Sequence, residues 1–201
     1  AVTDSFGSLA IGSNNITIKG LIVRNSNVSA VQGLGSSVDD ITIQGNYFGT
    51  DDSGMLYDSV QAGIGLNAGF NRLTVGGPNP EDRNIIAAIN RGLIGIGDNS
   101  IIQGNFFGVG ADGVTAFQSG SAVSGAAETI SITGANAMIG GASSELGNSI
   151  ENNQSYPGLI LAGTVNGKVL GNRIVGNNKG IAVLDNSSGL EIGDGTAAGR
   201  N

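Results

Sequence analysis

The 201-residue chain contains no cysteine, histidine or tryptophan, and only 12% of its residues are charged. Without cysteine it can form neither disulfides nor thiolates, and without histidine it lacks the commonest general base and metal ligand. The net charge is −7, and lysine and arginine never occur in a run. Because binding to a phosphate backbone needs several cations on one face, we expect no nucleic-acid partner.

Long apolar runs are also missing. No stretch reaches the roughly 18 consecutive apolar residues of a membrane-spanning helix, so we expect no membrane insertion. The chain does contain 36 glycines and 39% hydrophobic residues, with many asparagines and serines. This composition predicts a folded chain with many turns, and the absence of a linker predicts one domain over residues 1–201.

One motif occurs twice. The segment IQGNYFGTDDSG, residues 43–54, returns 59 positions later as IQGNFFGVGADG, residues 102–113. Short β-forming segments also recur along the whole chain, and each contains one central apolar residue that marks the register. The steps between these residues are 25, 32, 27, 37, 30 and 23 positions, and the residues are Ile18, Ile43, Val75, Ile102, Ile139, Val169 and Ile192.

Glycine and asparagine support the same register. A glycine directly after the marked residue is followed eight positions later by an asparagine in the pairs Gly76/Asn84, Gly140/Asn148 and Gly193/Asn201. A further apolar segment follows in the units, at residues 63–66, 92–96, 130–132, 158–161 and 180–183. Each unit is therefore predicted to contain three short strands separated by turns.

Such strands cannot bury an apolar face within one unit, so the units are expected to stack. Six steps at about 4.8 Å would build a rod roughly 29 Å long around an aliphatic core. In the duplicated motif, we expect the isoleucine to point inward and Gly-Asn to turn the corner. Phe48 or Phe107 would fill the next core position, and Gly49 or Gly108 would open a loop.

The alternation of a GNxFGTDxxG unit with a GGxxxxxRN unit and a GIxI strand resembles the repeats of large bacterial surface and secreted proteins, often adhesin-like. The resemblance covers about residues 9–201. It implies an all-β, right-handed parallel β-helix (β-solenoid) of six to seven rungs, each with three short strands. It also implies an extracellular or cell-surface location and a non-catalytic structural or adhesive role.

The same fold carries polysaccharide lyases and glycoside hydrolases, so a polysaccharide-active enzyme is the alternative. Both chain ends resemble cuts through a longer rod. We therefore expect a fragment of a larger solenoid whose uncapped ends would associate end to end.

No catalytic residue is assigned, because the Gly-His-Gly and Arg-Ile-Lys elements of polygalacturonase-like enzymes are missing. For a lyase, Arg173 or Lys168 could abstract a proton. Calcium is the one cofactor to consider, and its oxygen ligands would come from Asp51, Asp52 and Asp112. Ordinary solvated turns remain the favoured interpretation of these aspartates.

A surface ligand, carbohydrate or protein, is the expected partner. Tyr57 and Tyr156 lie in predicted loops and are the candidate binding residues. A row of threonines precedes the first three register residues, but it ends in lysine and glutamate, which argues against an ice-binding face. The predicted contact surface consists of the loops at 50–62, 78–83, 109–128 and 142–147.

Overall fold

A computed structural model of the chain describes residues 8–35, 38–58, 60–117, 130–153 and 156–201. These residues form three parallel β-sheets. Sheet 1 consists of β1 (Leu9–Ile11), β4 (Ser26–Gly33), β7 (Val60–Phe70), β10 (Ala88–Ile96), β13 (Ile130–Ile132), β16 (Pro157–Ala162) and β19 (Lys179–Leu184). Sheet 2 consists of β2 (Ile16–Lys19), β5 (Ile41–Gln44), β8 (Thr74–Gly76), β11 (Ile101–Gln103), β14 (Met138–Gly140), β17 (Lys168–Leu170) and β20 (Glu191–Ile192).

Sheet 3 consists of β3 (Ile22–Val23), β6 (Tyr47–Phe48), β9 (Ile85–Ile86), β12 (Phe106–Phe107), β15 (Ser149–Glu151) and β18 (Arg173–Val175). The chain visits sheets 1, 2 and 3 in turn, and each circuit is one rung. Each strand pairs with the corresponding strand of the neighbouring rung. The predicted parallel β-helix, with about seven rungs of three short strands, is confirmed.

The predicted register is confirmed at every step. The seven marked residues of sheet 2 are Cα partners in succession, from Ile18 with Ile43 to Val169 with Ile192. The residues before them form a second row on the outer side, which runs Thr17, Thr42, Thr74, Ile101, Met138, Lys168, Glu191. Unequal steps along the chain therefore produce equal steps along the rod.

A continuous apolar core runs inside the three sheets. Five of the seven marked residues, from Ile43 to Val169, have no exposed surface. Phe48 and Phe107 are also completely buried. Phe107 pairs with Ile86 in the rung before and with Ile150 in the rung after. The duplicated motif thus supplies one sheet 2 residue and one sheet 3 residue to the core, as predicted.

Asparagines form a ladder at the corner between sheets 2 and 3. The ladder consists of Asn46, Asn84, Asn105, Asn148, Asn172 and Asn201, of which the first four are at most 1% exposed. In each step, the side-chain oxygen of one asparagine accepts bonds from the backbone and side-chain N–H groups of the asparagine in the preceding rung. The ladder thereby satisfies polar groups that would be costly to bury alone.

Two types of corner alternate along this ladder. In rungs 2, 4 and 6 the asparagine follows the register residue by three positions, and in rungs 3, 5 and 7 by nine. The six extra residues fold back over the short corner of the preceding rung, as shown by the bonds from Gly45 N–H to Asp82 O (3.0 Å) and from Gly104 N–H to Leu146 O (3.0 Å). Because the two corner types alternate, the duplicated motif recurs after two rungs rather than one.

One of the predicted loops needed correction. The loop assigned to 50–62 ends earlier, because β7 begins at Val60 and pairs with β4 and β10. The loop assigned to 78–83 contains a 3₁₀ turn, Pro80–Asp82. Residues 118–128 of the predicted loop 109–128 lie outside the described residues, whereas 142–147 is a connection between strands as expected.

Candidate contact surface

Two hairpin-like loops project from sheet 3. Arm 1 comprises residues 50–58 and follows β6, and arm 2 comprises residues 109–117 and follows β12. An antiparallel bridge closes each arm, between Thr50 and Tyr57 in arm 1 and between Val109 and Ala116 in arm 2. In each arm, the last residue donates its N–H to the carbonyl of the glycine that precedes the arm. The distance is 2.8 Å to Gly49 O in arm 1 and 3.0 Å to Gly108 O in arm 2. The duplicated motif thus encodes the same loop twice, two rungs apart.

The arms pack on the outside of sheet 3 and not on the main core. Ile85, Ala87 and Phe117 are 2%, 3% and 7% exposed and form a separate apolar cluster, against which Tyr47, Tyr57 and Ala111 pack. Burial of this second cluster holds both arms against the rod.

The arms also contact each other. The N–H of Ala111 in arm 2 donates to the carbonyl of Gly54 in arm 1 at 2.9 Å. The rings of Tyr57 and Phe117 lie 6.5 Å apart between centroids and are tilted by 41°. Both arms therefore belong to one surface, although 59 residues separate their starts.

An arginine packs against β12, the strand that leads into arm 2. The guanidinium of Arg83 lies 4.1 Å from the ring centroid of Phe106, and its Nε donates to Gly104 O at 2.9 Å. Partial burial lowers the pKa of Arg83. Its contact is a cation–π interaction, a type that contributes about 0.5–1 kcal/mol at exposed sites and more when desolvated.

The candidate metal residue Asp51 organises the turn of arm 1. Its Oδ1 accepts the N–H groups of Leu56 (3.0 Å) and Met55 (3.1 Å) and the hydroxyl of Ser53 (2.8 Å). The Leu56 N–H bond is the main reason that the pKa of Asp51 lies below its ordinary value, followed by the Ser53 bond. The neighbouring Asp52 is exposed at the turn.

Asp112 has the same role in arm 2, from a different position of the repeat. Its Oδ1 accepts the N–H groups of Thr115 (2.8 Å) and Val114 (2.9 Å), and its Oδ2 accepts the Thr115 hydroxyl at 2.7 Å. The bond from the Thr115 N–H lowers the pKa of Asp112 most. Asp112 aligns with Ser53 and not with Asp51, so the two arms close similar turns with different acids. In the described part of the chain, no three acidic side chains lie close enough together to hold a metal ion.

The two candidate tyrosines lie apart. Tyr57 is partly buried against Phe117 in the arm surface, and burial raises its pKa. Tyr156 lies just before β16, where its N–H donates to Asn153 Oδ1 at 3.1 Å, and it is also partly buried. Neither ring is a fully exposed platform. Only Tyr57 belongs to the arm surface.

The sequence analysis missed the most exposed apolar groups of this surface. Leu56 in arm 1 is 67% exposed and Val114 in arm 2 is 83% exposed, more than any other large apolar side chain described. Both lie on the returning half of their arms, after the turn. Alignment of the two copies of the motif, extended past residue 54 and past residue 113, could have located them, since apolar residues stand beside each turn.

The candidate lyase residues Lys168 and Arg173 lie on different sheets. Lys168 is in β17 of sheet 2 and forms an ion pair with Glu191 at 2.7 Å. Arg173 is in β18 of sheet 3 and pairs with Glu151. Both are four rungs from arm 1, a distance of roughly 19 Å along the rod. The structure does not bring these cations together with Asp51 or Asp52.

A scan against protein-family models, a search of curated proteins and a search of solved structures each found no match. Among the described residues, none of the helical segments has the length and apolar character needed to cross a membrane. The class of this protein is therefore defined by its fold, the parallel β-helix.

Proposed function

We propose that this chain is a non-catalytic structural or adhesive segment of a large bacterial surface protein. It would act outside the cell as a β-helix scaffold whose two arms contact a carbohydrate or protein ligand. The observation that carries the proposal is the attachment of both arms to the rod by their own apolar cluster. A packed loop that exposes Leu56 and Val114 is pre-organised for contact, which lowers the entropic cost of binding.

The distribution of charge supports a scaffold over an enzyme. Arg24 pairs with Asp58, Arg72 with Asp39 and Asp40, Lys168 with Glu191, and Arg173 with Glu151. These pairs lie at separate corners and faces of the rod. An acid–base site needs several such groups around one substrate position. Local pairing of this kind favours the structural role.

The proposal is tested by replacing the two exposed apolar side chains of the arms. In the double variant Leu56→Ser/Val114→Ser, both changes are at exposed positions, so folding should be retained. The matched control is Leu34→Ser/Val165→Ser, which changes two exposed apolar residues outside the arms, 49% and 39% exposed. Wild type and both variants are compared for binding to arrays of glycans and of extracellular proteins.

A ligand that binds wild type and the control but not Leu56→Ser/Val114→Ser supports the proposal. Equal binding by all three would refute the arms as the contact surface. The same samples are incubated with polyuronate and with neutral polysaccharides, and reaction products are followed. Turnover of either would replace the scaffold by the polysaccharide-active alternative.

End-to-end association is a second property we propose for this chain in solution. Val183, Leu184 and Ile192 of the seventh rung are 47%, 47% and 45% exposed. Exposed strand edges with apolar side chains favour pairing with further strands. Sedimentation over a range of concentrations tests this, and a monomer at all concentrations would refute it.

A further inference from the structure

The buried polar side chains of the rod bond in one direction. Each ladder asparagine donates its Nδ2 to a strand carbonyl of the preceding rung, as Asn84 does to Ile43 O (2.8 Å) and Asn148 to Ile102 O (2.8 Å). Its Oδ1 accepts the backbone N–H of the preceding asparagine, as Asn84 does from Asn46 (3.0 Å). The acceptor for the backbone N–H at a ladder position therefore always comes from the rung on its C-terminal side.

At each of the two other corners, a partly buried side chain shows the same direction. At the corner after sheet 3, Asn177 Oδ1 accepts the N–H of Asn153 (3.0 Å), and its Nδ2 donates to Ile150 O (2.8 Å). At the corner after sheet 1, Ser187 Oγ accepts the N–H of Thr164 (2.9 Å) and donates to Leu161 O (3.1 Å). In each case, a side chain of the later rung bonds to backbone N–H and C=O groups of the earlier rung.

The strand pairing itself has no such direction, because a parallel strand both donates to and accepts from each neighbour. Some exposed corner residues bond the other way, as where Asn14 Oδ1 accepts the N–H of Asp39 at 3.0 Å. Water can replace those exposed bonds. A buried N–H that loses its acceptor has no such substitute. The buried corner bonds therefore determine the difference between the two directions along the rod.

Leu21 ends the ladder on the N-terminal side. It occupies the ladder position of the first rung, and its N–H donates to Asn46 Oδ1 at 2.9 Å. A leucine has no side-chain N–H that needs an acceptor and no side-chain oxygen to offer. The ladder position therefore tolerates an apolar side chain in rung 1.

We infer that the rungs protect one another in one direction. The buried corner amides of each rung are held closed by the rung that follows, so loss of a ladder side chain opens the rung before it and leaves the rung after it closed. The corner amide of Asn46, which precedes arm 1 in rung 2, would then depend on rung 3 and not on rung 1. This inference is independent of the ligand proposed for the arms.

Site-resolved amide hydrogen exchange of the full chain tests the inference. In the variant Asn46→Leu, the N–H of Leu21 loses its acceptor, whereas the N–H of Asn84 keeps Asn105 Oδ1 at 3.2 Å. We expect exchange at Leu21 to become roughly ten-fold faster or more, and exchange at Asn84 to stay unchanged. Equal acceleration on both sides, or acceleration at Asn84 alone, would overturn the inference.

A second variant covers the case in which Asn46→Leu does not fold. Asn201 is exposed, and its Oδ1 accepts the N–H of Asn172 at 3.1 Å. In Asn201→Ala, exchange at Asn172 should accelerate by the same factor. The N–H of Asn148, which donates to Asn172 Oδ1 at 3.1 Å, should keep its wild-type rate. Unchanged exchange at Asn172 would refute the role of the following rung.

Discussion

Phe106 and Phe107 allow a direct test of how the duplicated motif is oriented. The two residues are adjacent in β12 and have the same side chain, but they face opposite sides of sheet 3. Phe107 has no exposed surface and packs in the core between the levels of Ile86 and Ile150. Phe106 is partly exposed and packs under Arg83.

The two alanine variants should differ in their cost. Phe107→Ala leaves a cavity in the core and should lower the free energy of unfolding by about 3–5 kcal/mol. Phe106→Ala removes a half-buried ring, worth about 1 kcal/mol of burial, and a cation–π contact of about 0.5–1 kcal/mol. Its total cost should therefore be about 1.5–2 kcal/mol, roughly half that of Phe107→Ala or less.

The assay is urea denaturation of both variants and wild type, followed by far-ultraviolet circular dichroism. Because a shift of one residue moves every side chain of a strand to the other face, a wrong register would exchange the two values. Phe106→Ala costing as much as Phe107→Ala, or more, would refute the assignment of core and outer positions in the motif.

Three further outcomes are expected. Gly104→Ala should destabilise the rod more than Gly20→Ala in the same denaturation assay. The two glycines have nearly the same φ, +68° at Gly104 and +69° at Gly20, so the backbone strain of an alanine is similar at both. Only at Gly104 would the added Cβ clash, because it would lie 2.3 Å from Gly77 O. A similar loss of stability in the two variants would show that the neighbouring rung does not pack tightly against Gly104. The pKa values of Asp51 and Asp112 are lowered in the folded arms, so their stabilisation is present above the ordinary value of 3.8 and is lost as the pH falls through the folded pKa. In ¹³C NMR titrations both carboxyls should titrate below the ordinary value for aspartate, and titration at that ordinary value would contradict the turn bonds. Millimolar calcium should leave the melting temperature unchanged, because these carboxylates already bond to N–H groups of their own turns, and a clear upward shift abolished by Asp51→Asn would restore the calcium site.

The sequence predicted the periodic part of the fold because β-helix rungs repeat local patterns. A central apolar residue in each sheet 2 strand was sufficient to identify Cα partners as far apart as Ile102 and Ile139. The glycine–asparagine spacing located Asn84, Asn148 and Asn201 as corner residues. It did not show that Asn46, Asn105 and Asn172 belong to the same ladder, because they follow the register residue by three positions and not nine.

The contact surface was only partly predictable, because it depends on contacts between rungs. The motif indicated that Gly49 and Gly108 open loops, and both arms begin there. The packing of Phe117 on Tyr57 and the stacking of Arg83 on Phe106 join residues from different rungs. No local pattern identifies such pairs, since the length of each intervening loop varies independently of the rod.

The stacked register underlies every conclusion above, and spin-label distances measure it most directly. The chain has no cysteine, so pairs of cysteines can be introduced in the outer row of sheet 2 without background labelling. We would label Thr17→Cys together with Met138→Cys, Lys168→Cys or Glu191→Cys, which lie four, five and six rungs further along. The β-helix predicts distances of about 19, 24 and 29 Å that rise by one strand spacing per rung. Distances that do not rise in this order, or that change by amounts unrelated to the strand spacing, would contradict the stacked rod and the placement of both arms on one face.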